Sequence, residues 1–336
     1  MKKRIIIWGG NAKPLNLETL DSHASVNAFF LTKYLQKYFE IINITNIDKP
    51  EEILQHQNIH SVIATSQLGF TNRIVNKGKI SLFNEIKKHV KGKLCSIADN
   101  NNPDKYYEDI LFCVRPVNIQ NLIKSKILSK NNSFEAIRSG WCTEPEIFYP
   151  DNIDKNEINV FIDHAPYSKG ASNYIKKYHV ALSKITLKHP EKQINVYHQN
   201  DFGIVKWNFD KDLNLNKIYN RSIKVSFLEI AEVYRKIHIF CFTHKESAGL
   251  SGIEAAMCGA KLYIPTDFFG HTFIKKDLLF KDLDYKILLP FSYSFYKQFD
   301  RDIKKGLLKS ENHKKIVKLN NNWKHASKII YERINL

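Results

Sequence analysis

Short apolar runs alternate along this chain with longer stretches whose apolar positions recur every three or four residues. In the first half, Arg4–Trp8, Glu40–Thr45, Ser61–Thr65, Leu94–Ile97 and Ile110–Val114 read as short strands. A continuous apolar run leaves no polar side for water, so such strands belong inside a sheet covered on both faces. Between them, Ser25–Phe39 carries Phe29, Phe30, Leu31, Tyr34, Leu35 and Tyr38 at helical spacing, and Ile80–Val90 is a second helix candidate. The second half repeats the pattern. Ile158–Asp163, Gln193–His198, Ile237–Thr243 and Lys261–Ile264 are strands; Ala171–Lys188, Phe227–Lys236 and a segment starting at Ser251–Cys258 are helices. Strands alternating with helices predict parallel βαβ units, hence an α/β fold of two doubly wound halves meeting near Pro150. The last stretch, His313–Ile334, reads as one long basic helix.

Length agrees with two halves. A single core stops growing at about 250–300 residues, and this chain has 336, 43% of them hydrophobic. That apolar fraction excludes a mainly disordered chain. The expected domains are 1–150, 151–312 and a C-terminal helix over 313–336 that packs back toward the first. The five cysteines are scattered and include no C-x-x-C pair, so neither a zinc ribbon nor a redox motif is indicated, and reduced thiols in a cytoplasmic protein are expected. Met1-Lys2-Lys3-Arg4 is followed by only four apolar residues, short of the ~7–15 of a secretory signal. No run approaches the ~20 apolar residues of a membrane-spanning helix.

Charge adds a question about partners. There are 51 Lys and Arg against 34 Asp and Glu, a net charge of +17. Such a field favours nucleic acid, a phospholipid surface or a phosphorylated substrate; a bias toward Lys, Asn and Ile across the whole composition accounts for it equally well. The excess is spread, +6 over residues 1–150 and +11 over 151–336. The basic clusters at 87–93, 124–130 and 313–318 fit either an anionic surface or solvated helix faces.

The densest chemical signal is Thr243-His244-Lys245-Glu246-Ser247-Ala248-Gly249-Leu250-Ser251-Gly252-Ile253-Glu254-Ala255-Ala256-Met257-Cys258-Gly259. An apolar strand runs into a loop of small residues and then into a helix. Small residues leave backbone N–H groups open to an anion at the helix N-terminus, and the carboxylates of Glu246 and Glu254 flank that turn as acceptors for sugar hydroxyls. The same pattern also describes a plain helix start, with Glu246 near the helix dipole and Glu254 solvated.

This segment resembles the E-x7-E signature of retaining GT-B glycosyltransferases, with Glu246-Ser247-Ala248-Gly249-Leu250, Glu254-Ala255-Ala256-Met257-Cys258-Gly259 and a strand ending at Pro265 in the family's order. Arg138–Pro150 is similar to the segment that closes the family's N-terminal domain. Val160–Gly170 is similar to the strand and loop that carry a diphosphate-binding Arg and Lys. Lys169 matches that Lys; His164 stands at the Arg and Asp163 at a Gly. The resemblance implies two Rossmann-like domains facing across a cleft, with the C-terminal helix crossing back to the N-terminal domain. It implies a retaining, metal-independent hexosyltransferase that needs no cofactor beyond a UDP- or GDP-linked sugar as co-substrate.

Carried over position by position, the resemblance gives Glu246 the donor sugar's hydroxyls and Glu254 the nucleotide ribose. The amides of Ala248, Gly249 and Leu250 would face sugar and diphosphate, and Lys169 would neutralise the leaving group. His164 would act at the sugar or phosphate, or serve as a structural loop residue. In the N-terminal domain, Gly10 follows the first strand where the family has a glycine loop. Asp99, at the end of a later strand, is either an acceptor-side group or a turn cap. The acceptor expected is a glycan or a lipid-linked glycan, with attachment to the inner face of an anionic membrane left open. Two alternatives stand beside it: transfer to modified DNA bases, and a degenerate, non-catalytic protein that binds nucleic acid or lipid.

Overall fold

The computed structural model describes residues 2–10, 16–20, 23–67, 69–98, 107–113, 133–136, 143–152, 156–163, 171–199, 218–223, 226–245, 250–276, 280–306, 309–319 and 322–336. The chain divides into two compact units, one of residues 1–142 with 321–336 and one of residues 143–320.

The first unit is built on a six-stranded parallel sheet in the order β2-β1-β3-β4-β5-β6. Its strands are β1 (Arg4–Trp8), β2 (Glu40–Ile44), β3 (Ile59–Gln67), β4 (Leu94–Ala98), β5 (Ile110–Cys113) and β6 (Ser133–Ala136). Helices α1 (His23–Leu35), α2 (Gly69–Arg73) and α3 (Ile80–His89) lie between them in the chain. The run Ile5–Trp8 is fully buried, and β1 is paired along both edges, by β2 and β3. Trp8, Val62, Ala64, Phe70, Phe83 and Ile86 share one core.

The second unit repeats the plan with the order β12-β11-β10-β7-β8-β9, again all parallel. Its strands are β7 (Glu157–Ile162), β8 (Gln193–Gln199), β9 (Ile218–Ile223), β10 (Ile239–Cys241), β11 (Lys261–Pro265) and β12 (Tyr285–Leu288). Its helices are α4 (Ala171–Lys188), α5 (Phe227–Lys236), α6 (Leu250–Met257), the short α7 (Thr266–Phe269) and α8 (Phe273–Lys276), α9 (Ser292–Lys304) and α10 (Asn312–Lys318). Ser226 caps α5 by accepting from the Glu229 amide at 3.3 Å. Parallel connections with helices between successive strands produce such sheets, and the α/β expectation holds in both units.

Two differences from the sequence reading concern the ends of domains. The expected helix over 313–334 is two helices, α10 and α11 (Trp323–Asn335). Asn322 opens the second by accepting from the His325 amide at 2.9 Å, as a short polar side chain does at a helix start. They also belong to different units: α10 stays with the second, whereas α11 joins the first by packing on α1. There Trp323, Ala326, Ile330 and Ile334 recur on one buried face, Phe30 stacks on Trp323 at 6.0 Å, and Tyr38 on Tyr331 at 4.0 Å. Residues 143–150, placed by sequence in the first domain, lie in the second unit. Phe148 meets Phe227 and Tyr234 edge-on or tilted at 5.4 and 6.4 Å, and the Asp151 amide donates to the Arg235 carbonyl at 3.1 Å.

Among the described residues, no helix is long and apolar enough to cross a membrane. Cys95, Cys241 and Cys258 are free and buried, and burial pushes each thiol up.

Candidate active site

Each sheet reverses its direction of growth once, between β1 and β3 in the first unit and between β7 and β10 in the second. At such a point successive connections leave on opposite faces, and the carboxyl ends of the two central strands frame a crevice. Both places carry specialised residues.

In the first unit, β1 runs into Gly9 and Gly10 with φ of +146° and +102°. A β-carbon on Gly9 would lie 2.1 Å from the Thr65 hydroxyl, so only glycine lets the chain turn against β3 there. The Thr65 carbonyl in turn accepts from the Asn27 side chain at 3.1 Å. Gly10 is thus placed at the carboxyl edge of the sheet, as the sequence indicated. Nearby, buried Glu108 accepts from the Thr71 amide at 3.0 Å, the Ser96 hydroxyl at 3.0 Å and the Tyr107 amide at 3.1 Å. These bonds make Glu108 the anchor of α2.

In the second unit, Asp163 follows the end of β7, and Phe242, Thr243 and His244 follow the end of β10. The Asp163 amide donates to the Cys241 carbonyl at 3.0 Å, and the Thr243 hydroxyl donates to the Asp163 carbonyl at 2.5 Å. The two strand ends are therefore locked together one residue beyond the sheet. The Asp163 carboxylate, 5% exposed, lies 3.6 Å from Nδ1 of His244. Phe161, Tyr234 and Phe240 form the floor, with ring separations of 5.1 to 6.1 Å. From α4, the Tyr178 hydroxyl donates to the Phe242 carbonyl at 3.2 Å, and the Tyr174 hydroxyl donates to Asp267 at 2.5 Å.

Glu254 stands one turn into α6 and is 6% exposed. The open reading of a solvated Glu254 is overturned. Its carboxyl lacks water around it, and desolvation pushes its pKa up to about 8. Glu254 and Asp163 together add negative potential at the Tyr234 phenol, which burial already holds well above its usual range.

The end of the same motif has a structural explanation. Gly259 closes α6 with φ of +83°, the left-handed conformation that glycine tolerates. The Lys309 stem packs 3.1 Å from where a β-carbon would be, while its ammonium donates to the carbonyls of Cys258, at 2.8 Å, and Arg235. Burial lowers the pKa of Lys309 to about 8.

Of the residues picked from sequence, Gly10 lies just past β1, and Leu250 and Glu254 lie on α6. Leu250 is the first residue of α6, and Glu254 shares its helix. Asp99, His164, Lys169, Glu246, Ala248 and Gly249 lie outside the described residues. Sequence reasoning passed over Asn27, Thr65, Tyr234 and the pairing of Asp163 with His244. One signal would have found the pair: each is the first or second residue past an apolar run at the middle of the sheet. Two histidines lie in the interior. His179 is fully buried on α4 with its Nε2 3.3 Å from that of His198, and burial lowers its pKa to about 3. His238 accepts from the Asn159 amide at 3.1 Å, which requires the neutral ring, and its pKa falls to about 4.

No family model matches the chain, and no curated protein matches it in sequence. Solved structures do match in fold. The S. aureus MnaA–UDP co-structure aligns with a TM-score of 0.60 at 11% identity, over 98% of this chain and 95% of the other. The UDP-GlcNAc 2-epimerase from Neisseria meningitidis bound to UDP-GlcNAc aligns at 0.57 and 12%, over 99% of both chains. The E. coli trehalose-6-phosphate protein bound with UDP-2-fluoro glucose aligns at 0.56 and 10%, over 98% of both. At such identities the likeness establishes the fold, and the fold is GT-B: two Rossmann-like units, with the C-terminal helix returned to the first.

Proposed function

We propose that this chain is a retaining glycosyltransferase that moves a hexose from a UDP-sugar to a glycan or glycolipid acceptor, without a metal. The observation that carries the reading is Glu254, a buried carboxyl whose pKa desolvation raises, on the helix that follows the central strand of the second sheet. A ribose diol donating to that carboxyl would draw its proton off, since hydrogen bonds to the charged form lower a carboxyl pKa. Three of the structures matching in fold hold UDP, UDP-GlcNAc and UDP-2-fluoro glucose, which supports a uridine diphosphate.

In this reading Glu246 holds the sugar hydroxyls. The amides of Ala248, Gly249 and Leu250 at the start of α6 bind the diphosphate, with Lys169 as the cation and His164 beside it. As the glycosidic bond breaks, negative charge grows on the leaving diphosphate. Fixed amide dipoles and an ammonium already aimed at it stabilise that charge without reorganisation. In the first unit, Gly10 serves the donor side and Asp99 the acceptor.

One observation favours a second reading, isomerisation of a UDP-sugar with no acceptor. Asp163 and His244, 3.6 Å apart, make an acid–base pair at the strand ends, and the Neisseria match is an epimerase. The experiment that decides is incubation with UDP-GlcNAc or UDP-glucose, followed by NMR. A transferase releases UDP, slowly with water and faster with a glycan acceptor; an epimerase forms a new UDP-sugar and frees none. Glu246→Ala should abolish UDP release while UDP still raises the melting temperature. If no sugar nucleotide shifts the melt or turns over, the proposal fails and the non-catalytic alternative stands. Release that requires modified duplex DNA would move the acceptor to nucleic acid.

A further inference from the structure

The outer edge of the second unit carries a surface that the donor chemistry leaves unused. β12 ends its sheet, and from it the chain exposes Ile287 at 44%, Leu289 at 58%, Phe291 at 60% and Tyr293 at 60%. These side chains follow one another at alternate positions from the strand into the first turn of α9. The Phe291 amide donates to the Leu289 carbonyl at 2.7 Å, so the chain folds tightly at Pro290 and holds them close. A cluster of large apolar groups left in water is a mark of a contact surface rather than of a solvated rim.

The face of α9 that continues from Tyr293 is cationic. Lys297, Arg301 and Lys304 follow at helical spacing on its exposed side, while Phe295, Phe299 and Ile303 face the core. The Lys297 ammonium lies over the Tyr293 ring at 5.3 Å, and Lys188 lies over the neighbouring Tyr296 at 5.7 Å. Both acids of this helix are turned inward. Asp300 is held by Lys188, His189 and Lys304, and Asp302 by Tyr263, Gln298 and Lys261. The outward side therefore offers apolar tips ringed by positive charge.

Three occupants compete. A second copy of the chain would bring Lys297 and Arg301 against their own like, on a molecule already at +17. Nucleic acid would use the cations and the two rings, but has no place for Ile287 and Leu289. An anionic bilayer uses every group: lysine and arginine meet the phosphates, rings sit at the headgroups, and aliphatic tips enter the acyl boundary. We propose that this face, Ile287 to Lys304, docks the protein on an anionic lipid surface. The inference stands apart from the sugar chemistry.

Co-sedimentation of the full chain with phosphatidylcholine vesicles, with and without phosphatidylglycerol, tests it. Binding is expected only with phosphatidylglycerol and should weaken with salt. The double variant Leu289→Ser/Phe291→Ser should lower partitioning at least tenfold, roughly what loss of two buried apolar tips implies. Lys297→Gln and Arg301→Gln should each lower it about fivefold. All four positions are exposed, and a thermal melt checks that each variant folds. Phe291→Trp should show a blue-shifted emission on phosphatidylglycerol vesicles. Undiminished binding by the double variant, or no shift at Phe291→Trp, overturns the proposal. So does binding of duplex DNA in place of vesicles, or a dimer that the double variant dissolves.

Discussion

Glu254 is an acid whose folded-state pKa, about 8, lies above its ordinary 4.5. Between those values the folded protein binds the proton that the unfolded chain has released, so its stability falls as pH rises from about 4.5 to about 8 and then levels. Each pH unit in that window costs about 1.4 kcal/mol. Glu254→Gln should remove this decline: the variant should melt higher than the parent at pH 8 and near it at pH 5, while binding UDP more weakly. A variant that melts no higher at pH 8 would count against a buried, protonated Glu254. Gly9 is the opposite kind of residue, fixed by backbone alone. Gly9→Ala would press a β-carbon into Thr65 at φ of +146°, and a loss of roughly 2–3 kcal/mol in denaturant unfolding is expected. At this scale the sequence made Glu254 visible by its motif. That it is buried, like Ile253, Ala255 and Met257 of the same helix, no spacing announces.

Elements were legible according to where they sit in a sheet. Of the strands read from apolar runs, β1, β3, β4, β5, β7, β8, β10 and β11 are interior ones, and only β2 ends its sheet. The strands not foreseen, β6, β9 and β12, all end their sheets. An end strand has one neighbour and meets water, so its sequence (Ser-Phe-Glu-Ala, Ile-Tyr-Asn-Arg-Ser-Ile, Tyr-Lys-Ile-Leu) carries no continuous apolar run. Helix α9 was missed for a related reason: its apolar residues share the helix with two inward aspartates that only tertiary partners neutralise. The split of α10 from α11 depends on Asn322. Asn322→Ala removes the bond to the His325 amide and should cost about 1 kcal/mol in equilibrium unfolding. An unchanged stability would show that packing of α11 alone sets the break.

For the whole molecule, α11 makes the first unit depend on the end of the chain. Trp323→Ala should destabilise that unit by about 3–5 kcal/mol, seen as lost hydrogen-exchange protection in β1 and α1. The UDP-induced shift, a property of the second unit in our reading, should persist. Acid acts elsewhere. His179 and His238 have pKa values lowered to about 3 and about 4 from 6.5, so the unfolded chain binds more protons than the fold below 6.5. Stability therefore drops as pH falls from 6.5 through those values. With the decline from Glu254 on the alkaline side, the melting temperature should peak near pH 6.5 and lose its alkaline shoulder in Glu254→Gln. A profile flat from pH 5 to 8 would contradict both assignments.

By itself the sequence determined the α/β class, the two halves, the interior strands and the small-residue segment ahead of α6. These are local quantities: apolar runs, helical spacing, and small residues at a strand-to-helix turn, each set by neighbours a few residues away. Tertiary structure decided the rest. It assigned 143–150 and α10 to the second unit and α11 to the first, closed both sheets with polar strands, and joined Asp163 to His244 across 81 residues of chain. It also buried Glu254. Those outcomes depend on which surfaces meet, and contact between distant segments changes dielectric, partners and protonation in ways that no stretch of sequence carries alone.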